Sequence, residues 1–188
     1  MTDGRLKPLS SDEMTPAQRR VADAFAAGPR GHEIRGPFAA LLRTPELCDR
    51  VQRTGEYVRY QSSLPPAIRE FIILLTARHW GADYEWYAHH ELALKAGLAP
   101  AICDAVAEGR HPASMSPQET AVHTFVTELY ASKRLGDENF TRVKELFGEA
   151  GIMEIVGTMG HYCMIALVLN ADRHPIPAAA KPLPPLPA

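Results

Sequence analysis

The sequence predicts an all-α protein, and three observations support this class. Val, Ile and Thr are sparse while Ala and Leu are abundant, a composition that favours helices over strands. No stretch alternates apolar and polar residues for long, as a half-buried strand would. Two segments, at 15–18 and 116–119, read TPAQ and SPQE, and this order of hydroxyl residue, proline and Gln or Glu is typical of a helix start.

The first part of the chain predicts two helices. The helix that begins after Thr15 is expected to run to about Ala27, because glycines and a proline follow at 28–31. Pro45 opens the next helix, which extends towards Tyr60. Proline suits this position because it lacks the N–H that the first helical turn leaves unpaired.

The middle of the chain predicts a central helical hairpin. The sequence LPP at 64–66 opens a helix that must end near Gly81. Asp83 is placed to cap a second helix, which carries apolar residues to Lys95 and stops at the glycine that follows. The short break lets the two helices fold back on each other.

The remaining sequence predicts four more helices and an extended tail. We expect helices from Pro100 to about Glu108, from Pro117 to about Lys133, and over 137–149 and 151–170. The last of these is apolar almost all round, which indicates burial in the core or between subunits. From residue 174 onward, six of fifteen residues are proline. The sequence therefore predicts one helical domain over 1–172 and an extended Pro-rich tail over 173–188.

Charge and composition exclude several classes of function. The 188 residues carry a formal net charge of -2, so no basic surplus is present to bind nucleic acid or an anionic membrane. We expect no apolar run near the roughly 20 residues that cross a bilayer, and no apolar signal segment at the N-terminus. Cys48, Cys103 and Cys163 are widely spaced and form no Cys-x-x-Cys pair. These features predict a cytoplasmic protein with no disulfide framework and no zinc knuckle.

The densest group of polar residues in an apolar setting lies on the two hairpin helices. Glu70 shares its helical face with apolar residues three, four and seven positions further on. Glu85 and His89 are four residues apart and lie one above the other on a face that is otherwise apolar. Burying an unpaired charge costs on the order of several kcal/mol, so we expect these side chains to pair with each other or with a ligand. Such a carboxylate–imidazole group can transfer protons near neutral pH.

Two other interpretations of this group stay open. A Glu–His pair at four-residue spacing is also common on exposed helix faces, where it has only a structural role. A metal site is a further option, since His and carboxylates ligate zinc or iron. However, Leu94 stands where the zincin motif needs its second histidine, and we expect no metal.

Four further residues are candidates for substrate contacts. Arg69 could hold an anionic group or pair with a neighbouring acid. His161, in the apolar last helix, could approach the same pocket or be a core histidine bonded to the backbone. Tyr84 and Trp86 could stack on a ligand, although such aromatic residues more often pack in a core. His90 could also join the site.

The residues over 66–98 resemble the carboxymuconolactone decarboxylase family, whose superfamily includes the alkylhydroperoxidase D proteins. The resemblance rests on IRE at 68–70, the apolar helix that follows, YEWxxH at 84–89 and AxxAGL at 93–98. It is looser over residues 35 to 172, the region that would form the family core.

The resemblance also distinguishes two kinds of chemistry. In the peroxidase branch a Glu is followed twelve residues later by Cys, then by a second Cys after three residues and by His after four more. Glu70 and His89 fit this pattern, but Ala82 and Glu85 occupy the cysteine positions. Thiol peroxidase chemistry, which needs an attacking and a resolving thiol, is therefore expected to be lost. The Glu-x-x-x-His pattern of the decarboxylase branch is matched by Glu85 and His89, so the chain combines both.

Membership of this family implies an all-helical bundle that assembles into homo-oligomers, often trimers or hexamers, with the site near subunit contacts. It implies a cofactor-independent decarboxylase, or a related lyase or isomerase, acting on a small carboxylated ring or lactone. His89 would be the general acid/base, Glu85 its orienting partner, and Glu70 a second proton carrier or a group that sets a pKa. The alternatives are a non-catalytic ligand-binding or oligomeric scaffold protein and a peroxide-related protein without the dithiol.

Overall fold

The computed structural model describes residues 4–31 and 33–185, and within these ranges it contains eight α-helices and no strand. The predicted all-α class is confirmed. The helices are α1 Pro16–Ala27, α2 Pro37–Leu41, α3 Pro45–Glu56, α4 Pro66–Trp80, α5 Asp83–Lys95, α6 Pro100–Ala107, α7 Pro117–Ser132 and α8 Asp137–Asp172. A 3₁₀ turn over Ser11–Glu13 precedes α1, and a π-helical turn over Tyr57–Gln61 continues α3.

The two predicted capping boxes are present. The Thr15 hydroxyl accepts a hydrogen bond from the Gln18 backbone N–H at 3.3 Å, and the Gln18 side chain accepts one from the Thr15 N–H at 2.9 Å. Ser116 and Glu119 make the same reciprocal pair at the start of α7. Each box satisfies two N–H groups that the first helical turn leaves free, which explains why these boundaries could be read from the sequence.

Helix α2 was not predicted from the sequence. It has five residues, too few to be stable by helix propensity alone. Four of them, Phe38–Leu41, are buried, and the Phe38 ring lies 5.1 Å from that of Phe25. Packing of its side chains therefore stabilises this helix.

The hairpin of α4 and α5 turns at Gly81, which has φ of 58° and ψ of 38°. This left-handed conformation strongly favours glycine. The predicted capping role of Asp83 is wrong, because Ala82 is the N-cap residue and Asp83 is the first residue of the helix. Its carboxylate instead accepts a hydrogen bond from the Leu183 backbone N–H at 2.8 Å.

Helix α8 corresponds to the two helices predicted over 137–149 and 151–170. They are continuous apart from a kink at Gly148, whose φ of 69° and ψ of 178° are not helical. Within the described residues α8 is the one helix long and apolar enough to cross a bilayer, with a mean hydropathy of 1.7 over its most apolar window, half of which is buried. The expectation that no apolar run approaches this length is therefore wrong. A core helix of a soluble protein has the same properties, and the absence of a membrane partner stays a prediction.

The chain divides into two compact units. The first comprises the chain through Ser62 together with Leu167–Pro175. Within it, Asp172 at the end of α8 holds the N-terminal segment, because its backbone C=O accepts from the Arg5 N–H at 2.8 Å and its carboxylate from the Leu6 N–H at 2.6 Å. That the whole of 1–172 is one domain stays a prediction.

The second unit comprises Ser63–Ala166 and the chain from Ile176 onward. Helix α4 is its central element and packs against α5, α6 and α7. Ten of the fifteen residues of α4 are buried, so most faces of this helix pack against other parts of the unit. The Pro-rich tail forms no helix in its described part, and Pro184 accepts a hydrogen bond from Arg78 of α4 at 2.7 Å. Residues 186–188 of the predicted tail lie outside the described residues.

Candidate active site

The hairpin brings two predicted site residues into direct contact. Glu70 lies on α4 and His89 on α5, and the turn at Gly81 places these positions side by side. The Glu70 Oε2 atom is 2.7 Å from His89 Nδ1. Both residues are buried, with exposures of 5% and 7%. A short hydrogen bond away from solvent is the arrangement that orients an imidazole for proton transfer.

Glu85 is buried on the same helix without such a partner. It is 2% exposed, and neither carboxyl oxygen makes a hydrogen bond within the described part of the chain. Burial raises the pKa of Glu85 well above its usual range, and the negative charge of an ionised Cys163 would raise it further. The predicted role of Glu85 as the orienting partner of His89 is therefore corrected, because the atom that contacts His89 belongs to Glu70.

An aromatic pair connects His89 to the last helix. The Tyr162 ring stands edge-on to His89, with centroids 5.0 Å apart, and also edge-on to His161 at 5.1 Å. His161 and Tyr162 are both buried. His161 therefore lies near the Glu70–His89 pair, with the Tyr162 ring in contact with both imidazoles.

The other predicted substrate contacts lie around the hairpin in different settings. Trp86 is buried in the hydrophobic core, where its ring stacks on His90 at 5.6 Å. Tyr84 is half-buried, with its ring 6.3 Å from that of Tyr87. Arg69 is half-buried, and its buried Nε atom has no acceptor among the described residues. A contact of any of them with substrate stays a prediction.

A polar network next to Glu85 was missed in the sequence. The Tyr130 hydroxyl donates to Thr76 Oγ1 at 2.9 Å and lies 3.2 Å from Cys163 Sγ, and Trp80 Nε1 donates to the same sulfur at 3.2 Å. Burial is the main cause of a raised Tyr130 pKa. The two residues of each contact lie 33 to 83 positions apart in the sequence, so no local motif could have revealed the network.

The three cysteines are free thiols in different environments. Cys48 and Cys103 are buried, and burial raises the pKa of Cys48 to about 12 and that of Cys103 to about 11. Such thiols are poor nucleophiles, because the reactive species is the thiolate. Cys163 is half-buried in the network described above. No group of three or more His, Cys, Asp or Glu residues within 4–31 and 33–185 is placed to hold a metal.

A cavity lies on another side of α4, between α4, α6 and α7, and we call it the α4–α7 cavity. Its volume is about 340 Å³. Glu70, Glu85 and His89 do not line it. Its lining residues are Leu75, Arg78, His79, Val106, Gly109, Arg110, His111, His123, Val126, Thr127, Tyr130 and Ala131. None of these residues was identified from the sequence, although the spacing of His123, Thr127 and Tyr130 places them on one face of α7.

Comparison with known proteins relates the chain to a sequence family and to a known fold. Residues 45–128, which include Glu70, Glu85 and His89, match the carboxymuconolactone decarboxylase family. The fold is similar to a crystal structure of a protein of unknown function from Agrobacterium tumefaciens, proposed to be the antioxidant defence protein AhpD. That similarity has a TM-score of 0.58 at 19% identity and covers 71% of this chain and 93% of the other. No curated protein matches the sequence significantly.

The family match confirms the predicted resemblance to the carboxymuconolactone decarboxylase family over residues 45–128. At 19% identity, the structural similarity shows a shared fold and not a shared activity. The family match and the fold together do not specify the reaction, because one fold carries several chemistries.

Proposed function

We propose that this protein is a cofactor-independent lyase or isomerase of the carboxymuconolactone decarboxylase type, acting on a small carboxylated ring or lactone. The observation that carries the proposal is the 2.7 Å contact between Glu70 Oε2 and His89 Nδ1, two buried groups on facing helices. A carboxylate and an imidazole in this geometry form a proton-transfer pair.

The chemistry of decarboxylation explains what the pair would do. Loss of CO2 breaks a carbon–carbon bond and leaves its electron pair on the ring, where a conjugated lactone carbonyl accepts it as an enolate. A proton must then be delivered to carbon. When His89 Nδ1 donates to Glu70 Oε2, Nε2 is the nitrogen left to give or take the substrate proton.

Glu85 supports this assignment through its burial. Burial raises the pKa of Glu85 well above its usual range, which favours the uncharged form. Glu70 is the carboxylate that contacts the imidazole. A carboxylate in this position stabilises the imidazolium formed during proton transfer.

The chemistry of the cysteines supports the lyase over a peroxidase. Ala82 and Glu85 stand at the positions of the peroxidase thiols. The thiols of Cys48 and Cys103 have raised pKa values because they are buried. We therefore propose that the protein works without redox cysteines, as a homo-oligomer in the cytoplasm, on a small-molecule substrate and without metal.

Activity measurements on matched variants test the proposal. Release of CO2 from carboxymuconolactone is expected for the wild type. Glu70→Gln and His89→Gln should each lower kcat by about 10²-fold or more, because each removes the acid–base function. His90→Gln is the control, since His90 is the next residue on the helix but stacks on Trp86.

The experiment also distinguishes the scaffold alternative. A wild type that releases no CO2 from carboxymuconolactone would contradict the decarboxylase assignment. Variants of Glu70 or His89 that unfold at a lower temperature but remain fully active would show that the pair is structural. Thermal melts of all variants, followed by circular dichroism, accompany the kinetics for this reason.

A further inference from the structure

We propose that the α4–α7 cavity binds a small organic anion, a carboxylate with an apolar or aromatic body whose carboxylate group is held by Arg78. This site is distinct from the Glu70–His89 pair, because neither of those residues lines the cavity. The inference therefore does not rest on the proposed function.

The size and walls of the cavity fit a ligand of this kind. Its volume of about 340 Å³ lies within the range of small-molecule sites in proteins. Leu75, Val106 and Val126 supply apolar surface from three different helices. The His79 and Tyr130 rings stack flat on each other, with centroids 3.9 Å apart and an interplanar angle of 9°. Apolar and aromatic walls favour a ring over an inorganic anion.

The polar part of the lining is basic. It contains two arginines and three histidines and no Asp or Glu. The pKa of His79 is lowered by burial and then by the charge of Lys133, and that of His123 by burial and then by His111. Lowered pKa values favour neutral imidazoles, so the positive charge of the lining comes from its arginines.

Arg78 is a buried cation of the cavity lining with few hydrogen-bond partners. It is 8% exposed. Within the described residues its guanidinium makes a single hydrogen bond, from Nη1 to the Pro184 carbonyl. Its Nε atom is fully buried without an acceptor, so the terminal Nη atoms are the donors that a ligand in the cavity can reach. Burial lowers the pKa of Arg78, and the nearby Asp83 opposes this effect. No ion pair joins these two described residues, and the Asp83 carboxylate accepts from the Leu183 N–H. A buried guanidinium with unused donors is costly unless a ligand pairs with it.

Arg110 differs from Arg78 in having a partner. Its side chain is 60% exposed and forms an ion pair with Glu108. An exposed pair of this kind contributes little to the field inside the cavity. The carboxylate of a ligand is therefore assigned to Arg78.

Calorimetric titration of the full-length protein with benzoate tests the inference. Benzoate supplies a carboxylate on a flat apolar ring, benzamide is its uncharged counterpart, and inorganic phosphate supplies charge without the ring. Benzoate is expected to bind once per chain, and both controls at least about tenfold more weakly, because each lacks one of the two features of the site.

Four variants locate the bound benzoate. Arg78→Gln should weaken binding by about tenfold or more through loss of the charged hydrogen bonds. Ala131→Trp should abolish binding by filling the cavity from an exposed position on its wall. Arg142→Gln, which alters an exposed arginine outside the cavity, and His89→Gln should leave benzoate binding unchanged.

The outcomes separate this site from the Glu70–His89 pair. Loss of binding in the cavity variants, with unchanged thermal melts, supports the inference, and Ala131→Trp decides alone if Arg78→Gln does not fold. Benzoate that binds no better than benzamide, or binds Ala131→Trp as well as the wild type, overturns it. Binding that is lost in His89→Gln but kept in the cavity variants also overturns it, while favouring the proposed function.

Discussion

At the scale of single residues, Glu70 and Glu85 are two buried acids whose surroundings differ. Their exposures are 5% and 2%, so burial alone does not distinguish them. Glu70 Oε2 lies 2.7 Å from His89 Nδ1, whereas the oxygens of Glu85 have no hydrogen-bond partner among the described residues. Burial raises the pKa of Glu85 well above its usual range, because desolvation disfavours the charged form.

The pH dependence of stability tests the state of Glu85. Because the pKa of Glu85 is raised in the folded protein, the folded state binds this proton more tightly than the unfolded state does. This contribution to stability is fully present below the unfolded pKa and is lost as pH rises towards the folded pKa. As pH rises above about 4.3, the pKa of glutamate in an unfolded chain, Glu85→Gln should therefore gain stability relative to the wild type, by up to about 1.4 kcal/mol per pH unit. Urea denaturation at several pH values measures the difference.

An exposed carboxyl on the same helix provides the control for this experiment. Glu91 is largely exposed and pairs with Lys95. The stability difference between Glu91→Gln and the wild type should stay nearly constant over the same pH range. If the Glu85→Gln difference is equally constant, Glu85 is not a protonated buried acid.

At the scale of secondary-structure elements, the turn of the α4–α5 hairpin positions the candidate site. Glu70 and His89 lie 19 residues apart, on opposite sides of Gly81. The turn is closed by hydrogen bonds from the Gly81 N–H to the Arg78 carbonyl at 3.2 Å and from the Ala82 N–H to the Ala77 carbonyl at 2.9 Å. A change in this turn would shift α5 against α4 and lengthen the Glu70–His89 contact.

Substitution of Gly81 tests the importance of the left-handed turn. A Cβ atom at Gly81 would meet no atom within 4 Å. A side chain at this position therefore affects stability through the backbone conformation and not through steric clashes. Gly81→Ala should lower the free energy of unfolding by roughly 1–2 kcal/mol, because alanine disfavours positive φ. Gly81→Asn should lose less, since asparagine tolerates this conformation. Equal stability of both variants and the wild type in urea denaturation would contradict this account.

At the scale of the whole molecule, helix α8 carries exposed apolar residues that fit a homo-oligomer. Met153, Val156 and Met164 are 62%, 42% and 41% exposed. With Gly160 they follow one another at intervals of three or four residues, so they lie on one face of the helix. A Cβ atom at Gly160 would meet nothing within 4 Å, which shows open space on this face. Contact with another copy would remove this surface from water.

Mass measurement by light scattering tests assembly through this face. The wild type is expected at three or six times the chain mass of 20.7 kDa at micromolar concentration. The double variant Met153→Glu and Met164→Glu should return a mass near that of one chain, because charge opposes burial of the face. Leu47→Glu, at a position that is 43% exposed on α3, is the matched control and should stay oligomeric. A monomeric wild type would contradict the prediction.

Local signals in the sequence determined most helix boundaries. The capping boxes at Thr15 and Ser116 and the glycine at 81 act within a few residues of themselves, so their effect can be read without knowing the fold. The faces of α4 and α5 likewise identified Glu70, Glu85 and His89, because polar residues on apolar helix faces indicate burial.

The tertiary structure alone decided how these residues pair. Helix α2 depends on packing around Phe38. His89 contacts Glu70, while the Glu85 carboxyl has no hydrogen bond among the described residues. Tyr130 meets Thr76 and Cys163 across 54 and 33 residues. The α4–α7 cavity is likewise lined by three helices and a loop. Helix propensity and capping act over one turn, whereas hydrogen bonds and desolvation depend on atoms that only the packed chain brings within a few ångströms.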